Sequence, residues 1–169
     1  MKPQYAIAIA ILAAGTALAA NSTSETAPGP AAYARLKTLV GEWEADTPMG
    51  KAHLSYELIA GGTSLVEHES AEKMPAMLTV YYLDGNRLLL THYCMAGNQP
   101  RMLARSFNPE TGEVDFQFLD ATNLSRPNAG HMHNAKIRLV DNDHFSSQWE
   151  FYQNGQAQRS EAFQYTRVK

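Results

Sequence analysis

The chain has 169 residues, and 14 basic against 17 acidic side chains leave it a formal net charge of −3. That balance offers nothing to draw in a nucleic acid or an anionic membrane surface. A single cysteine, Cys94, excludes an intrachain disulfide framework, so the fold must be held by its core.

Lys2 is followed by an apolar run from Tyr5 to Leu12 and then by small residues, with Ala17-Leu18-Ala19 and Leu18-Ala19-Ala20 both resembling A-x-A cleavage sites. Residues 1–20 are expected to be a secretory signal peptide, sending the protein to a periplasm or to the extracellular space. The run is shorter than the ~20 residues a spanning helix needs, and no later stretch comes close, so no membrane span is expected. Residues 21–30, rich in Ser, Thr, Ala, Gly and Pro, read as a flexible linker. Residues 31–169 are then one domain of about 140 residues.

Ala31 to Leu39 carries good helix formers with Tyr33, Leu36 and Leu39 on one side, which predicts a short amphipathic helix that leans on, or plugs, the rest of the domain. From residue 40 onward the pattern is strand after strand, at about 40–47, 51–60, 63–71, 76–83, 86–95, 99–107, 112–120, 131–140, 143–152 and 156–167. Turn signals such as Gly61-Gly62, Asp84-Gly85-Asn86, Ala96-Gly97-Asn98 and Asn154-Gly155 separate them. Links this short join antiparallel neighbours and leave no room for crossover helices. The pattern predicts an all-β, up-and-down antiparallel barrel of about 8–10 strands, since closure removes the sticky edges. The longest irregular piece, residues 121–130, is the candidate rim loop.

Alternation assigns the faces. If Leu88 and Leu90 point into the core, so do His92 and Cys94. In the eighth strand His131, His133, Ala135, Ile137 and Leu139 alternate with Met132, Asn134, Lys136, Arg138 and Val140, and the charges on the second set turn the first set inward. Val114, Phe116 and Phe118 face in on the seventh strand, Tyr56 on the second and Trp149 on the ninth. Glu67 and Glu69 share one face of the third strand; either an inward Glu67 pairs with Arg101 or a histidine, or the strand exposes both acids.

Gly41-Glu42-Trp43, directly after the short helix and opening the first strand, resembles the G-x-W signature of the lipocalins and the wider calycin group. Arg167, near the end of the last strand, matches the arginine that caps that tryptophan. The resemblance implies a calycin-like barrel with Gly41, Trp43 and Arg167 as structural residues. The disulfides and carboxy-terminal helix of secreted lipocalins are missing. His92-Tyr93-Cys94 before Asn98-Gln99-Pro100-Arg101 is similar to a run in uncharacterised, secreted lipocalin-like proteins of bacteria, which brings a fold and no activity.

These residues support three readings of function. In the first, the barrel holds a small, mostly apolar ligand, with His92, Cys94, Asn98, Arg101, His131 and His133 at its polar end and Tyr56, Phe116 and Trp149 among its walls. In the second, His131-x-His133 sets two imidazoles about 6.7 Å apart on one face. With His92 they would hold zinc, copper or haem iron, with redox or hydrolytic activity in prospect. In the third the core is filled, the polar groups merely satisfy one another, and the protein is structural. No phosphate-cradling glycine loop, H-E-x-x-H or serine-nucleophile motif is present, and no oxyanion-hole signature accompanies Cys94, so binding ranks above catalysis. The sequence requires no cofactor.

Overall fold

Short polar turns leave each apolar run nowhere to go but back along its predecessor, and the computed structural model, which describes residues 28–169, is built that way throughout. The strands are β1 (Gly41–Thr47), β2 (Gly50–Ile59), β3 (Ser64–Ala71), β4 (Met74–Asp84), β5 (Arg87–Tyr93), β6 (Gln99–Asn108), β7 (Glu113–Thr122), β8 (His131–Leu139), β9 (His144–Gln153) and β10 (Gln156–Arg167). Each pairs antiparallel with the next and β10 returns to β1, so the sheet closes into a ten-stranded barrel. The expected signal peptide, and all but the end of the expected linker, lie outside the described residues. Among the described residues no helix is long and apolar enough to cross a membrane.

One helix, α1 (Gly29–Leu36), precedes the barrel and runs on into a 3-10 turn over Lys37–Leu39. It starts inside the stretch expected as linker. Pro30 explains this, because a proline in the first turn has no N–H to leave unpaired and its fixed φ suits a helix start. Ala32, Tyr33 and Leu36 are buried where α1 crosses β4, β5 and β6. Gly29 permits the close approach: a Cβ there would sit 2.2 Å from the Asn86 carbonyl oxygen.

The end of the barrel beside this turn is shut by aromatic packing. Trp43 is 1% exposed, and its Nε1 donates to the Leu39 carbonyl at 2.7 Å. The Arg167 guanidinium lies 4.0 Å above the indole and donates to the carbonyls of Thr38 (2.9 Å), Val40 (2.8 Å) and Asn142 (2.8 Å). Phe145 meets Trp43 edge-on at 4.8 Å and stacks on Tyr165 at 4.7 Å. Gly41 has φ +124°, and a Cβ there would crowd an Arg167 nitrogen at 2.8 Å. Gly41, Trp43 and Arg167 therefore act as one unit. Arg167→Met keeps apolar bulk over the indole and loses three hydrogen bonds, and it is expected to lower stability by about 1–3 kcal/mol in urea unfolding. An unchanged midpoint would show that water serves those carbonyls equally well.

Candidate functional site

The barrel's register carries a row of inward positions across four neighbouring strands. Tyr56 on β2 pairs with Glu67 on β3, Glu67 with Thr79 on β4, and Thr79 with His92 on β5. All four are buried. The Glu67 carboxylate accepts the Tyr56 hydroxyl at 2.6 Å, the Tyr81 hydroxyl at 2.7 Å and the Thr79 hydroxyl at 3.3 Å. Burial pushes this carboxyl above its ordinary range while the three donated hydroxyls pull it back.

Thr79 Oγ1 also lies 3.0 Å from His92 Nδ1. In the arrangement where the Thr79 hydrogen goes to Glu67, the hydroxyl accepts from Nδ1–H and Nε2 of the neutral ring is a bare lone pair. That atom is buried and has no hydrogen-bond partner. Burial holds the His92 imidazole down at about 4, so the ring is uncharged at neutral pH.

Beyond this row a cavity of about 220 Å³ opens toward the other end of the barrel. His92 and Trp149 line it, their ring centroids 5.0 Å apart. Met77, Met132, Phe151 and Phe163 supply apolar wall, and Met49 and Met95 border it from exposed turns. Glu69 faces the space from β3 and Glu161 from β10. Arg159 pairs with Glu161 at 3.1 Å and lies 4.8 Å over the Phe151 ring. Burial first, and then the charges of Glu67 and Glu161, push the Glu69 carboxyl up to about 8. Cys94 also lines the cavity, but burial raises its thiol, so it is not a ready thiolate nucleophile.

The structure thus sorts the residues singled out in the sequence. His92, Cys94 and Trp149 share the cavity. Tyr56 belongs to the Glu67 network, and Phe116 packs against Tyr81 in the core, ring centroids 6.0 Å apart. Asn98 is buried, but its amide donates to the Gly130 carbonyl at 2.8 Å and ties the β5–β6 turn to the residue preceding β8. Arg101 pairs with Asp120, its cross-strand neighbour, both side chains close to half exposed, and it meets neither Glu67 nor a histidine. Its Nε donates to Asp120 Oδ1 at 2.6 Å.

The inward set expected on β8 is corrected at its first residues. A bulge between Met132 and Asn134 adds one residue to the strand, so Met132, expected outside, lines the cavity and the two histidines do not. His131 Nε2 and His133 Nδ1 lie 2.9 Å apart in an aromatic stack, with Phe118 at 4.6 Å from each ring and Tyr152 at 4.0 Å from His133. The ligand set His92, His131 and His133 is therefore not assembled. Among the described residues no group of three or more His, Cys, Asp or Glu side chains is arranged to hold a metal ion.

Sequence reasoning did not place Glu69, Arg159, Glu161 or Phe163 at a site. The signal was there in part, since Arg159, Glu161 and Phe163 continue the period-2 register of Tyr165 and Arg167.

No family model matches the chain, and no curated protein matches it. Among solved structures, a protein of unknown function from the DUF3598 family of Nostoc punctiforme PCC 73102 is similar, with a TM-score of 0.54 at 16% identity. The match covers 79% of this chain and 48% of that one, so the chain spans about half the length of this solved structure. At that identity the likeness is one of fold.

Proposed function

We propose that the chain is an exported, lipocalin-like binding protein that holds a small, largely apolar molecule inside the barrel, with the molecule's polar end at His92. One observation carries the reading: the Nε2 atom of His92 is buried without a partner at a cavity whose walls are mostly apolar, methionine and aromatic side chains foremost. An unpaired buried polar atom costs about 1–3 kcal/mol, and a donor brought in by a ligand recovers it. The lipocalin-like assignment is supported by the Trp43–Arg167 closure, and export by the sequence of residues 1–20.

The test is titration with N-phenyl-1-naphthylamine, an apolar fluorophore with a single N–H donor. A saturable rise in fluorescence with one equivalent bound is expected, together with its loss in Ala71→Trp, which fills the cavity from β3. Native mass spectrometry should then show one dye per chain. No saturable binding by a protein with a cooperative melt, or equal binding by the folded Ala71→Trp variant, would defeat the proposal.

A further inference from the structure

Of the polar side chains that line the cavity, His92, Glu69 and Glu161 are acids or acceptors, beside Thr47, Cys94 and Arg159. His92 offers a buried, unpartnered Nε2, which is a lone pair in the tautomer that keeps Nδ1–H on Thr79 and the Thr79 hydrogen on Glu67. Glu69 and Glu161 offer carboxyl groups from β3 and β10. Arg159 is the single Lys or Arg side chain among the described residues lining the space; its side chain is 55% exposed, pairs with Glu161 and lies over the Phe151 ring. Once Glu69 is ionised, a carboxylate or phosphate entering here would meet its charge as well as that of Glu161.

We propose that the cavity selects an organic cation, a protonated primary or secondary amine carried on an apolar body. This rests on the binding reading above and names its ligand class. The ammonium gives one hydrogen to His92 Nε2 and sets its charge against Glu69, while Trp149 and Phe163 offer ring faces of the kind that attract cations. A bare metal ion does not fit, because the acids and His92 are not gathered closely enough to ligate one. The charge must arrive on a body that fills the apolar space.

Glu69 makes such binding depend on pH. The groups around it are Glu67 on its own strand, Tyr81 on β4, His92 on β5 with Cys94 just past its end, and Arg159, Glu161 and Tyr165 on β10. His92 is held down at about 4, and Tyr81, Tyr165 and Cys94 are all raised, so none of these four changes charge near neutrality. Glu69, at about 8, does, and Glu67, whose carboxyl burial also raises, acts in the same direction but is closed off by three hydroxyls. A bound cation displaces its proton, so affinity rises with pH until about 8 and levels off above it, an alkylamine staying protonated to about pH 10.

The experiment is displacement of N-phenyl-1-naphthylamine by n-octylamine, n-octanol and n-octanoate from the full chain. At neutral pH octylamine should compete roughly tenfold more strongly than octanol, with octanoate weakest. In Glu69→Gln the amine's advantage over octanol should collapse. In the unsubstituted protein its affinity should climb between about pH 6 and 8. Octanol or octanoate matching the amine, a preference that survives in Glu69→Gln, a flat pH profile, or bound dye that the amine does not displace would each overturn the inference while the binding reading stands. Failure of the dye itself to bind removes both. Should Glu69→Gln not fold, the pH profile of the unsubstituted protein decides.

Discussion

Trp43→Ala is expected to cost about 3–5 kcal/mol of stability, the range for truncating a fully buried tryptophan. Trp43 is 1% exposed, sits beneath the Arg167 guanidinium and against the edge of Phe145, and its Nε1 donates the bond that satisfies the Leu39 carbonyl. Alanine leaves a cavity at the closed end, an unpaired carbonyl and a guanidinium without its ring. Domains of this size have about 5–15 kcal/mol to lose, so the variant should unfold at a much lower urea concentration than the parent. Trp43→Phe keeps a ring and should lose less. A midpoint shift worth under about 1 kcal/mol for Trp43→Ala would mean that the closed end does not hold the barrel shut.

The second large effect has the opposite sign and appears only above a certain pH. Glu69 is expected to titrate near its ordinary 4.5 in the unfolded chain and at about 8 in the folded one. Below 4.5 it is protonated in both states and contributes nothing. Between 4.5 and 8 the folded state binds more protons than the unfolded state, so stability falls as pH rises, and the loss is complete above about 8. Glu69→Gln removes the titration at nearly constant volume. It should stabilise the protein by on the order of 3 kcal/mol at about pH 9 and leave it unchanged at about pH 4. A gain of the same size at both ends of the range would place its origin in packing rather than in the buried charge.

The barrel is legible in the sequence because most of its strands alternate and its turns carry glycine, asparagine and aspartate where a reversal needs them. His92 is legible for the same reason, as no irregularity breaks β5 between Leu88 and His92. The eighth strand departs from its expected facing at His131 and His133 because a bulge shifts the phase by one residue. Nothing in His131-Met132-His133 marks the place where it does so, since histidine and methionine fit either face. Arg101 escapes the sequence for another reason. Its partner Asp120 sits on the adjacent strand, and cross-strand neighbours depend on a register that single-strand periodicity does not supply. Glu69 is the hardest to foresee, because an acid on a strand ordinarily faces water. It faces inward because β3 alternates and Glu67, two residues back, is inward, beside a cavity assembled from residues on several strands.

A crystal structure of the protein grown with N-phenyl-1-naphthylamine is the most direct measurement of whether the barrel keeps an open, polar-ended interior for a small molecule. The expected result is density for one dye bounded by His92, Trp149, Met77 and Phe163, its N–H within hydrogen-bond distance of His92 Nε2. The contradicting result is a barrel closed by the collapse of Trp149 and the methionines onto His92, with the dye outside it or absent.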